Sequence, residues 1–337
     1  KKTLIALAVV AVSGTAFAQS TVNLTGKFGV AYTSSKTAAG VKSNGFGVTD
    51  GDVVFSAVED LGGGMKAAAS MAVRVRGRGA APTVTGCTPA APATSCAVSG
   101  AASSSVDGRD ATVSLMGGFG TVTLGAVEAG NGIIGLASAG APVIGQDNNV
   151  TLDGAANVDL FQYTTPALIP GLTARLQIVD SIGAPAAGGL ESAALTTDAT
   201  VVGVAYGAGP LALNADYTAF GQNAAAATST DNRTRISGSY DLGVARLGAG
   251  FQTKETFAGV KDKQYMFGVS APLGAITLGA TYAKRDNDNN ALDATGYELG
   301  ANYAFSKRTN LQTAYLSQKI NGGSAATTLR VRLMHSF

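Results

Sequence analysis

The sequence predicts an all-β chain: a closed, antiparallel, up-and-down transmembrane β-barrel of about sixteen strands. Three observations predict it. Apolar residues alternate with polar or tiny ones in units of about ten residues, the signature of strands with one greasy and one wet face. Short turns alternate with longer polar loops, as at the two rims of such a barrel. Aromatic residues, among them Tyr32, Tyr206, Tyr240, Tyr282 and Tyr303, stand on the apolar parity near strand ends, where interfacial girdles belong. A soluble sandwich would share the alternation. The girdles, the strand lengths and the lack of any helix pattern to cover a face decide for the barrel.

Composition agrees. The 337 residues include 45 Gly, 9 Pro and no Trp, which suits short strands and tight turns. Lys and Arg number 24 against 22 Asp and Glu, so net charge gives no footprint for nucleic acid, and none is expected as a partner. The opening KKTLIALAVVAVSGTAFA has a basic start, an apolar core and Ala16-Phe17-Ala18 as a small-x-small cleavage site. Residues 1–18 are therefore expected to be a signal peptide and 19–337 one barrel domain. The apolar core is shorter than the ~20 residues of a membrane helix. The expected partners are outer-membrane lipid and small solutes.

Taken in order, Val22, Leu24, Phe28, Val30 and Tyr32 form the apolar face of a first strand. A variable segment to Gly51 follows. Val53, Phe55 and Ala57 then lead to the turn Glu59–Gly64, and Met65 to Arg76 ascends again. Residues 77–108 are low in complexity and read as an exposed loop. They hold Cys87 and Cys96, expected to form a disulfide in an exported chain. Ala111–Leu115 and Thr121–Gly125 flank the turn Gly117–Gly120. Residues 126–157 form a loop long enough to need a reason. Strands at Asp159–Thr164 and Leu172–Val179 follow. Nine more are read near Thr200–Tyr206, Leu211–Phe220, Arg233–Tyr240, Arg246–Thr253, Gln264–Pro272, Ile276–Ala283, Tyr297–Phe305, Thr309–Gln318 and Thr327–Phe337. In the last of these, Leu329, Val331, Leu333 and His335 oppose Arg330 and Arg332, and the aromatic Phe337 suits an assembly signal at a membrane interface.

The polar parity carries the charges that bear on function. Lys27, Lys66, Arg74, Arg76, Arg175, Arg330 and Arg332 are expected to line the pore, with Lys27, Arg330 and Arg332 meeting near mid-height. Glu128 and Asp147, in the long loop, could oppose them. Acids on the strand parity are few (Asp52, Asp216, Glu298), so an anion preference is expected. No chemical step is expected: the single histidine, His335, lies on the apolar parity, no cluster has metal-ligand spacing, and Gly62-Gly63-Gly64 is a turn rather than a phosphate cradle. No cofactor is expected. The alternatives are a substrate-specific channel or, more remotely, a barrel adhesin or enzyme.

The stretch VVFSAVEDLGGGMK from Val53 to Lys66 resembles the second strand, turn and third strand of general trimeric porins of beta-proteobacteria. Phe119–Gly125, Tyr303–Thr309 and the terminal Phe337 are similar to that family too. The likeness covers nearly the whole chain after residue 18. It implies a homotrimer of sixteen-stranded barrels acting as general diffusion porins in the outer membrane, passing small hydrophilic solutes and ions. It also implies that the third external loop, here 126–157, folds inward to narrow the channel, and that the second, 77–108, reaches a neighbouring barrel. The family often carries basic residues where this chain has Asp52, Ser56, Ala126 and Gln162.

Overall fold

The computed structural model describes residues 21–75, 106–129, 132–144, 156–180, 199–221 and 230–337. The expected signal peptide, Arg76, Cys87, Cys96 and Asp147 lie outside the described residues.

Sixteen strands form one closed antiparallel barrel, each paired with its neighbours in sequence and the last with the first. They are β1 (Thr21–Lys36), β2 (Lys42–Gly62), β3 (Met65–Val75), β4 (Val106–Gly117), β5 (Gly120–Ala129), β6 (Ala156–Thr164), β7 (Leu172–Asp180), β8 (Ala199–Ala208), β9 (Leu211–Phe220), β10 (Thr230–Asp241), β11 (Arg246–Thr256), β12 (Lys261–Leu273), β13 (Ile276–Asn287), β14 (Ala294–Ala304), β15 (Thr309–Ile320) and β16 (Ala326–Ser336). A short helix, α1 (Ile134–Ala137), lies inside the barrel against β9–β12.

The alternation sorts the side chains. On β16, Leu329, Val331, Leu333 and His335 face outward and are exposed, while Arg330, Arg332 and Met334 face inward and are half-buried. Exposed large apolar residues recur around the ring, among them Leu24, Phe55, Val113, Val204, Ile236, Leu278 and Leu299. On a soluble protein so much exposed apolar surface would be untenable. In a bilayer it is the solvent-matched face. The fully buried large polar side chains Gln252, Gln264 and Glu298 point the other way. The wall is thus a two-sided sheet with the usual inside and outside exchanged.

Several strands run further than the sequence reading, β5 to Ala129 and β13 to Asn287 among them, and three differences bear on the lumen. The first hairpin continues past Tyr32 to Lys36 and resumes at Lys42, so residues 33–50 are mostly strand. Pairing with β1 carries β2 upward even though its sequence there is too glycine-rich to show alternation, and Tyr32 packs on Phe46 with ring centroids 5.2 Å apart. The second difference is a β-bulge between Gly29 and Val30 of β1, where Gly29 pairs Asp50 and Val30 pairs Val48. The third is another bulge, across which Met71 pairs Ala111 but Val73 pairs Gly108. Bulges shift the inside–outside alternation by one residue, and both of these redirect charged side chains.

The closing register corrects one expectation. Lys27 pairs Ser336, whereas Arg332 pairs Ala31 and Arg330 pairs Thr33. At about 3.3 Å per residue, the arginines stand about 13 and 20 Å beyond Lys27 along the wall. The cause is the placement of Phe337. Its backbone exchanges two hydrogen bonds with Gly26, each 3.0 Å, which fixes the slide of β16 against β1.

Candidate solute pathway and its charged walls

The inner wall of β1–β5 and β16 holds one continuous ionic cluster. Asp52, on β2, accepts from Arg74 Nε at 2.8 Å and lies 3.5 Å from Lys27 Nζ and 3.8 Å from Arg109 Nη1. Asp50, turned inward by its bulge, pairs with Lys27 Nζ at 3.1 Å and Arg332 Nη1 at 2.5 Å. Glu128, at the end of β5, pairs with Arg109 and lies 3.9 Å from Arg74 Nη2, and its backbone N–H donates to Asp110 at 2.8 Å. Four cations and four carboxylates therefore interleave on this wall. Lys27 and Arg332, separated along the strands, meet through Asp50.

On the facing side, Asp216 of β9 has a fully buried side chain and accepts from Arg175 Nη2 at 3.0 Å and Arg235 Nε at 2.8 Å. The neighbouring Arg233 guanidinium stacks 5.5 Å from the Phe220 ring centroid. Asp262 holds Arg285, with Lys254 Nζ 3.9 Å away. Lys66 stands elsewhere: it is exposed, opposite Asp60, beside the short turn joining β2 and β3.

Between these walls runs the segment 132–144. It lies inside the barrel along β9–β14, and its sequence GIIGLASAGAPVI contains no ionisable side chain. Ile133, Ile134 and Ala137 pack with Met266 and Ala283 of the wall. At its far end Ile144 is held twice: its N–H donates to Glu298 Oε2 at 3.0 Å, and its carbonyl accepts from Arg330. Arg330 is thus an anchor for this segment as well as a wall residue.

Parity found Lys27, Arg74, Arg175, Arg330 and Arg332 from sequence. It missed Asp50, Arg109, Asp110, Asp262 and Arg285. Arg109 sits at a bulge, where counting by twos fails, while Asp50, Asp110, Asp262 and Arg285 lie just beyond the strand ends assigned from pattern. His335 is exposed on the outer face, with Nδ1 2.9 Å from Thr309 Oγ1. Among the described residues no group of His, Cys, Asp and Glu could hold a metal ion.

A closed sixteen-stranded ring, apolar outside and ionic inside, narrowed by the inward segment 132–144, defines an outer-membrane channel. The chain belongs to the Gram-negative porins, whose family model matches residues 3–323. It is 30% identical over 386 aligned positions to outer membrane porin protein 32 of Delftia acidovorans, covering 100% of both chains. Its fold is similar to OmpF of Salmonella typhi, solved with daunomycin, at TM-score 0.69, 13% identity and coverage of 94% and 97% of the two chains. It is also similar to the channel DcaP of Acinetobacter baumannii, at TM-score 0.67, 11% identity and the same coverage. The trimer form of OmpT from Vibrio cholerae gives TM-score 0.63 at 12% identity, with 94% and 99% covered. The protein is an outer-membrane diffusion channel.

Proposed function

We propose that this channel passes small hydrophilic solutes with only a slight preference for anions, and that it does so with no chemical step. The observation that carries the reading is the pairing of the wall charges. Lumen cations outnumber lumen acids, as the strand pattern suggests, but Asp50, Asp52, Glu128, Asp216 and Asp262 each lie against two or more of them. A paired charge projects a weak dipolar field, and the Debye length of about 8 Å at physiological salt damps what remains. The inward segment 132–144 adds no charge of its own. Planar-bilayer recording in a tenfold KCl gradient tests this. The expected reversal potential has the anion sign and falls well short of the Nernst limit of about 59 mV. A cation sign, or a value near the limit, overturns the slight preference, and absence of conductance steps overturns the pore.

We further propose a homotrimer. The trimer form of the similar OmpT supports it, as does a concave apolar patch on the outer face of β1–β5. There the small Ala57, Ala69 and Ala111 are ringed by Phe55, Met71 and Val113.

A further inference from the structure

We infer that the bore of this channel is set by a seat of five glycines on the inner wall, which lets the segment 132–144 lie flush against the barrel; the inference rests on the pore reading above. The five are Gly248 and Gly250 on β11, Gly268 on β12, Gly279 on β13 and Gly300 on β14. They form one patch: Gly248 pairs directly with Gly268, and Gly279 with Gly300. Each faces the inward segment so closely that a Cβ would collide with it. At Gly248 a Cβ would meet the carbonyl oxygens of Leu136 and Ala137, the second at 2.6 Å. At Gly250 it would lie 2.9 Å from Ala137 Cβ. At Gly268 it would meet the Ala137 carbonyl oxygen and lie 2.6 Å from the Ser138 carbonyl carbon. At Gly279 it would lie 2.6 Å from Ala141 Cβ, and at Gly300 it would run into the Pro142 carbonyl.

Most of those obstacles are backbone, which cannot rotate aside as a side chain can. Carbon–carbon contacts settle near 3.5 Å, so one added methyl requires the segment to lift by about 1 Å toward the pore axis. Glycine is also a poor strand residue, so five of them in one patch weaken the wall unless something is gained by close approach. The segment is tied in place along the same track. Gly132 abuts the Arg235 guanidinium, where a Cβ would lie 2.9 Å from Cζ. Ser270 Oγ donates to the Ala139 carbonyl at 2.5 Å. Glu298 and Arg330 hold Ile144. The seat determines how far the segment stands from the wall, and hence how much room solutes have.

Because the segment carries no charge and its ties to Glu298 and Arg330 are at Ile144, a local lift at the seat changes width far more than the ionic field. This separates the seat from an electrostatic role. Gly268→Ala, Gly268→Val and Gly300→Ala, each in the full chain reconstituted in planar bilayers and in sugar-loaded vesicles, test it. The expected result is a stepwise loss of single-channel conductance, larger for valine than alanine, with slower entry of the larger sugars and an unmoved reversal potential. Gly238→Ala on the outer face of β10, where a Cβ would lie 2.7 Å from the flexible Leu213 side chain and 3.3 Å from the Ala212 carbonyl oxygen, away from the inward segment, is expected to conduct as the parent does. Conductance unchanged or raised at Gly268 and Gly300 overturns the seat. So does a loss matched by Gly238→Ala. Should the glycine variants fail to fold, Ser270→Ala removes a tie without adding bulk. It is expected to increase open-channel current noise, and a quiet current would overturn the tethering. Conductance steps in the parent with no effect of these variants would reject the seat and leave the pore reading standing.

Discussion

At Asp52 three cations converge: Arg74 Nε at 2.8 Å, Lys27 Nζ at 3.5 Å and Arg109 Nη1 at 3.8 Å. One carboxylate thus masks a basic patch that, read from parity alone, dominates the lumen. Asp52→Asn keeps the shape and removes the charge. A unit charge acts on an ion 4 Å away with about 1 kcal/mol in water, about fivefold in relative permeability before screening. The variant is expected to move the reversal potential toward the anion limit by up to that ratio, and an unmoved potential would place this cluster away from the ion path. Asp50 teaches the complementary lesson. It follows Thr49, the extra residue of a bulge, and the glycine-rich stretch before it shows no alternation, so the strand pattern gives no reason to extend the inward face as far as Asp50. Its neighbour Asp52 is legible because Val53, Phe55 and Ala57 resume strict alternation after it.

The strands themselves were the most legible elements, since each presents apolar and polar faces over its length. What pattern could not supply is register, because alternation survives any slide by two residues. The slide of β16 on β1 is set by a local fit. Gly26 leaves an empty place on the outer face where the Phe337 ring lies, and a Cβ there would stand 2.5 Å from Phe337 Cζ and 2.6 Å from the Asp52 carbonyl oxygen. Gly26→Val forces the ring out and crowds the backbone. Overpacking of this kind costs about 1–3 kcal/mol. The expected outcome is a lower midpoint for the heat-induced mobility shift on electrophoresis, with Gly26→Ala intermediate. Equal midpoints for all three proteins would show that the ring contributes nothing to holding β1 and β16 together. The inward segment 132–144 was legible only as a long loop. Its seat is spread over β11–β14, more than a hundred residues further along the chain, and only the folded ring brings those glycines to one place.

For the whole molecule, the proposed trimer is tested at the concave patch on β1–β5. Ala69 lies between Ala57 and Val113 on the outer face, where small side chains leave room for a neighbour. Ala69→Trp fills that hollow while remaining compatible with lipid. The mass of the detergent-solubilised particle by light scattering is expected to fall to one chain, with conductance steps of single-barrel size retained. A particle still of three chains would move the contact surface elsewhere. The ring as a whole has a further consequence. Its outward apolar residues mostly alternate with polar or small ones along the sequence, so the extended polypeptide is only mildly greasy. A lipid-compatible exterior exists once neighbours stand side by side all the way around, and the partner that completes the circle for Thr21–Lys36 is the last of the sixteen strands, Ala326–Ser336. Compatibility with the bilayer therefore arrives late and all at once, and until then the traveller needs an escort rather than a membrane.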